Sequence, residues 1–143
     1  MITDHSRENL VSVLRQRGIG PTHQRMEIAH VLFSRMEHLS ADQVLCLVNG
    51  RHAETSKATV YNTLKLFVET GLVREVIVDA AKVFYDPNTA PHHHFYDVES
   101  GEITDIDAEA VTIVGMPALP PGKVAAGMDV IIRVRPAAPA PGA

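Results

Sequence analysis

Apolar positions recur at helical spacing through the first seventy residues of the chain, then switch to alternation. Leu10, Val11 and Leu14, followed by Gly18, predict a short amphipathic helix with a glycine stop. Pro21-Thr22 opens a second, with Thr22 as its N-cap and Met26, Ile28, Ala29, Leu32 and Phe33 as its apolar stripe. Ser40 caps a third predicted over Ala41–Val48 and ended by Asn49-Gly50. Ser56 caps a fourth, in which Val60, Leu64 and Phe67 recur at i, i+4 and i+7 before Gly71, a suitable residue to follow a helix. Leu72–Val78 and Lys82–Tyr85 then predict a hairpin turning at Asp79-Ala80-Ala81. Helices followed by such a wing describe a winged helix-turn-helix.

Beyond Pro87-Asn88 the pattern predicts a strand near His94–Glu99, a turn at Ser100-Gly101 and a strand at Glu102–Ile106. Asp107 then caps a short helix over Ala108–Val114, Pro117, Pro120 and Pro121 break it, and Met128–Val134 is a last strand. From Pro136 the chain alternates Pro with Ala and Gly and is expected to be disordered. The expected fold is therefore α+β: a winged-helix domain over 1–86, a small α/β unit over 87–135 and a tail over 136–143. The second unit is too small to bury much alone, so it is expected to pair with its twin in a homodimer.

Composition narrows the class. At 143 residues and 45% apolar content the chain is globular, and no stretch approaches the roughly 20 apolar residues of a membrane span. The start, Met1-Ile2-Thr3-Asp4-His5, carries neither a basic nor an apolar leader region, so a cytoplasmic location and no membrane partner are expected. Cys46 is the one cysteine, which excludes an internal disulfide and a Cys-rich zinc site; on an apolar helix face it is expected in the core. The net charge of −4 conceals an asymmetry. Residues 1–74 hold nine Lys/Arg against seven Asp/Glu, and residues 75–143 hold four against ten. A mildly basic front and an acidic back suit a DNA-reading module joined to a ligand or dimerisation module.

Two clusters carry chemistry. With Val60, Leu64 and Phe67 inward, the fourth helix shows Lys57, Ala58, Tyr61, Asn62 and Lys65 on its other face. Cations for phosphates, an amide able to read adenine and a phenol make a major-groove face, against the alternative of ordinary solvated residues. Thr59 and Ser56 add hydroxyls at the helix start, and Arg25 is placed to reach the DNA backbone or a minor groove. The second cluster is His92-His93-His94. Strand side chains alternate, so His92 and His94 share a face and His93 takes the other. Two imidazoles on one face are half of a transition-metal site or haem-ligand candidates, with Asp86, Asp97 and Asp105 nearby as oxygen donors; a solvated polar turn after Pro91 is the bland alternative.

Gly18-Ile19-Gly20-Pro21-Thr22-His23-Gln24-Arg25, His38-Leu39-Ser40-Ala41, Ala58-Thr59-Val60-Tyr61-Asn62-Thr63-Leu64 and the His triplet resemble, in order and spacing, the ferric uptake regulator superfamily. The likeness runs from about Leu10 to Val134. Met116-Pro117-Ala118-Leu119-Pro120-Pro121-Gly122 and Asp129–Arg135 look most like its iron response regulator branch. The resemblance implies a dimeric transcriptional regulator, a repressor of iron-homeostasis genes, that binds double-stranded promoter DNA. It also implies a regulatory ion held between the two domains, at positions matching His38, Asp86, His92, His94 and Asp105. Three nitrogens and two oxygens suit Fe(II), Mn(II) or Zn(II). These five match the ligand types of the peroxide-sensing branch, so a peroxide- or manganese-sensing repressor is the alternative. His93 stands where many relatives carry an acid, which puts their second ion site in doubt, and the run His92, His93, His94 makes haem a further candidate ligand. Relatives that hold a structural zinc in paired Cys-x-x-Cys motifs have their first pair where Asp97 and Ser100 stand here, so no tetrathiolate zinc is expected.

A metal-dependent hydrolase would need an open coordination position and a general base. No H-E-x-x-H helix or nearby nucleophile supplies them, so no enzyme is expected. A pure protein-interaction scaffold would account for the winged helix but not for the ligand pattern.

Overall fold

The computed structural model describes residues 2–50 and 54–138, which divide into two compact units, the first ending at Thr89 and the second beginning at Ala90. The fold is α+β. The first unit holds helices α1 (Arg7–Gln16), α2 (His23–Arg35), α3 (Ala41–Val48) and α4 (Lys57–Glu69), followed by strands β1 (Arg74–Asp79) and β2 (Lys82–Asp86). The second holds β3 (His92–Asp97), β4 (Ile103–Asp107) and β5 (Ile131–Val134).

Each helix begins at a side chain that satisfies its first free amides. Ser6, Thr22, Ser40 and Ser56 accept from the N–H groups of Asn9, Arg25, Gln43 and Thr59, and Gln43 returns the bond to Ser40 to complete a capping box. Two helices end at the expected glycines. Gly18 and Gly71 have φ of 73° and 74°, and each is followed by a residue whose N–H reaches back to Leu14 or Phe67. Because Leu72 and Val73 both donate to the Phe67 carbonyl, finishing the helix, the wing starts at Arg74 and not at Leu72. The stripes meet in one core, where Leu14, Ile28, Ala29, Leu32, Val44, Val60, Leu64 and Phe67 are completely buried.

β1 and β2 form the antiparallel wing, with an irregularity between Ile77 and Asp79. Leu39, ahead of α3, adds a single bridge to Tyr85 of β2 through both backbone bonds, 3.2 and 2.7 Å. In the second unit β3 is central: antiparallel to β4 and parallel to β5. β3 starts at His92, so the whole triplet lies within the strand.

Two expectations fail here. The helix over Ala108–Val114 is only a 3-10 turn, Ala108–Ala110. Asp107 makes no capping bond, and the β-branched run Val111-Thr112-Ile113-Val114 before Gly115 (φ 78°) disfavours helix. Cys46 is exposed, not core. The core face of α3 is set by Ala41 and Val44, and two further residues turn Cys46 roughly 200° away from Val44. Of the expected tail, 136–138 is exposed and irregular, and 139–143 lies outside the described residues.

Candidate metal centre and nucleic-acid interface

In the first unit the Leu39–Tyr85 bridge positions a histidine against a carboxylate. Antiparallel pairing carries the neighbours His38 and Asp86 side by side, with His38 Nε2 3.0 Å from Asp86 Oδ2. Asp86 is buried, and its other oxygen accepts the Asn88 N–H at 2.9 Å, which fixes the carboxylate.

The second unit builds a three-donor cluster from register alone. His94 pairs across with Asp105, which puts both on one face, and His92 is their diagonal neighbour. Asp105 Oδ1 lies 3.6 Å from Nε2 of both His92 and His94, and a donor atom from each of the three residues lies within 4.8 Å of the others. His94 is completely buried, His92 nearly so, and their rings meet edge to face at 4.5 Å. The Ala90 carbonyl lies 2.6 Å from His92 Nδ1 and can only accept, so Nδ1 carries a proton and Nε2 is the nitrogen that faces Asp105. That is the arrangement by which an outer hydrogen bond prepares an imidazole for a metal ion.

His93 does different work. On the opposite face, its Nδ1 accepts the Val130 N–H at 3.1 Å, just where β5 joins β3. The triplet is thus divided between two faces, and the haem candidates His92, His93 and His94 do not act as one contiguous run. Asp97 also belongs to the His93 face. Its carboxylate accepts from the N–H groups of Glu99 and Ser100, at 2.9 and 3.1 Å. These two bonds, the Ser100 bond first, hold the Asp97 carboxyl below its ordinary value. The turn after β3 is thus closed by an aspartate.

On α4, Lys57, Ala58, Tyr61, Asn62 and Lys65 are exposed along one side, as the apolar spacing requires. Thr59 is half-buried, and its hydroxyl accepts from Ser56 at 2.9 Å within the cap. Arg25 is also half-buried; its guanidinium donates to the Gly20 carbonyl at 3.0 Å and lines a groove with Thr22, Gln24, Thr59 and Asn62. Lys65 sits 3.9 Å from Glu69 one turn on. Asp42, at the start of α3, escaped notice in the sequence because its partners are far along the chain. Its Oδ1 lies 3.8 Å from Lys57 Nζ and accepts from the Tyr61 hydroxyl at 3.5 Å. Burial pushes the Tyr85 phenol up, with Glu75, its cross-strand partner, and Tyr61 adding to the effect.

A capped four-helix unit with a two-stranded wing, joined to a small sheet carrying a buried His/His/Asp cluster, defines a winged-helix protein with a metal-type donor set. The Ferric uptake regulator family profile matches residues 5–115, and the chain belongs to that family. Among curated proteins it is similar to the peroxide-responsive repressors of Staphylococcus epidermidis (32% identity) and Staphylococcus aureus (33%). Each match runs over 102 residues, 71% of this chain and 68% and 69% of theirs. Among solved structures it resembles the ferric uptake regulator of Pseudomonas aeruginosa with manganese, at 25% identity and TM-score 0.65, over 92% of this chain and 98% of that one. The Francisella tularensis regulator with iron shares the fold at TM-score 0.66 and 21% identity, over 82% and 92%.

Proposed function

We propose that the chain is a dimeric, metal-responsive transcriptional repressor of iron-homeostasis genes, reading promoter DNA with α4. In this reading His38, Asp86, His92, His94 and Asp105 hold one regulatory divalent ion. The observation that carries it is the prepared donor set of β3 and β4: two buried imidazoles, one with its tautomer fixed by Ala90, and Asp105 against both. The His38–Asp86 pair adds one nitrogen and an oxygen from the first unit. Such mixed donors suit Fe(II), Mn(II) or Zn(II), and iron and manganese are the metals named for the two similar structures.

A second regulatory signal has its own support. The curated relatives at 32–33% identity are peroxide-responsive repressors, which favours peroxide sensing through the same ion. The iron response regulator branch rests on Met116–Arg135, which falls beyond the matched family range. Haem is the alternative ligand for the run His92, His93 and His94, in which the Val130 N–H already occupies His93 Nδ1.

Homodimerisation fits the second unit, which buries few apolar side chains and leaves Val114, Met116, Val124 and Ile132 exposed. Among the described residues no helix is long and apolar enough to cross a membrane. Genomic duplexes selected by the protein, then titrated with Fe(II), Mn(II), Zn(II) and haemin and challenged with peroxide, test these readings. Selection with no ligand dependence would remove the sensory function, and a response to haemin alone would replace the ion by haem.

A further inference from the structure

Asp42 is an acid set against Lys57 and Tyr61, two of the side chains on the exposed side of α4. It is placed by two capped helix starts. The Ser40/Gln43 capping box fixes the first turn of α3, where the helix dipole favours a carboxylate, and Ser56 fixes the turn of α4 that bears Lys57. One oxygen, Oδ1, serves both Lys57 Nζ at 3.8 Å and the Tyr61 hydroxyl at 3.5 Å, while Lys57 also lies over the Tyr61 ring, 5.6 Å from its centre. The three groups form one unit on the exposed side of α4.

From this geometry, and resting on the DNA-binding reading above, we propose that Asp42 is a specificity-determining residue that competes with DNA phosphate for Lys57 and holds Tyr61 for base or methyl contact. Sequence-independent binding is almost wholly phosphate neutralisation, so a carboxylate that neutralises Lys57 and repels the backbone weakens it directly. A cognate site offers base contacts in addition, and there a pre-positioned Tyr61 recovers affinity that random DNA cannot. Asp42 thus lowers the background more than it lowers the signal.

The test uses the full-length protein, duplexes it has selected from random sequence, and an unrelated duplex of equal length. Asp42→Asn keeps an oxygen that can accept from Tyr61 but removes the charge. It should raise affinity for the unrelated duplex about fivefold, from a Coulomb interaction at ~4 Å in water, and steepen its salt dependence by about one phosphate contact. Asp42→Ala also removes the acceptor for Tyr61, so it should give the same rise and further reduce the ratio of selected to unrelated binding. In a Lys57→Ala background Asp42→Asn should no longer steepen the salt slope. Thermal melts of each variant check that it is folded. Unchanged affinity and salt slope for the unrelated duplex in a folded Asp42→Asn protein would overturn the proposal alone. A wild-type protein that selects no duplex would overturn it together with the DNA-binding reading.

Discussion

The chemistry of single residues follows from strand parity and one hydrogen bond. Alternation puts His92 and His94 on one face, and the bond to the Ala90 carbonyl decides which nitrogen of His92 is available. His92→Ala and His94→Ala are each expected to weaken Fe(II) or Mn(II) binding by more than the roughly 10–100-fold lost with an outer hydrogen-bond partner; isothermal titration measures this. His93→Ala should leave that affinity within a few-fold and instead loosen β5, seen as faster amide exchange over Ile131–Val134. Equal loss of metal in all three variants would mean that the faces are not separated as described. Asp97 supplies a pH test. Its folded carboxyl is held below the ordinary 3.8, so the contribution of its turn is complete above 3.8 and is lost as pH falls through the lower folded value. Asp97→Asn, whose amide oxygen can still accept from Glu99 and Ser100, should lose this acid-side dependence in an acid-unfolding profile.

At the scale of elements, short-range signals were the legible ones. The caps at Thr22, Ser40 and Ser56 and the stop at Gly71 were readable because each acts within four residues. The helix expected over Ala108–Val114 is cut to a 3-10 turn because its expected cap, Asp107, makes no capping bond and the run Val111-Thr112-Ile113-Val114 is β-branched. Cys46 was misplaced because α3 is short and its apolar residues surround more of the helix than its core contact does. The Asp42 contact could not be read at all, since 19 residues separate it from Tyr61 and only the packing of α3 on α4 brings them together. Predictions for α4 divide by role. Leu64→Ala empties a fully buried site and should cost about 2–5 kcal/mol in denaturant unfolding. Asn62→Ala should cost mainly specificity, by about 1–3 kcal/mol if its amide is bidentate to a base. Lys57→Ala should weaken the selected duplex and flatten its salt slope by up to about one contact, with a smaller loss on the unrelated duplex, where Asp42 keeps Lys57 from the phosphate. Unaltered binding in both surface variants would assign the reading to another element.

For the whole molecule, the second unit is a three-stranded sheet with a long, exposed, proline-interrupted connection between β4 and β5. Such a unit gains little by folding alone, and a dimer is expected at micromolar concentration in analytical ultracentrifugation; a monomer there would contradict it. The candidate ligands were legible by type and by resemblance, whereas their preparation was not: the Leu39–Tyr85 bridge behind His38 and Asp86 is a contact across 46 positions of the chain. In the proposed function, His38 and Asp86, with the donors of β3 and β4, let an ion control DNA affinity. Titration of a selected duplex with wild type and with His38→Ala, each with and without Fe(II) or Mn(II), tests it most directly. Wild type should change affinity five- to roughly 150-fold with the ion, equivalent to ~1–3 kcal/mol of coupling, and His38→Ala should lose that change while still binding DNA. Full ion dependence in a folded His38→Ala protein would contradict the account.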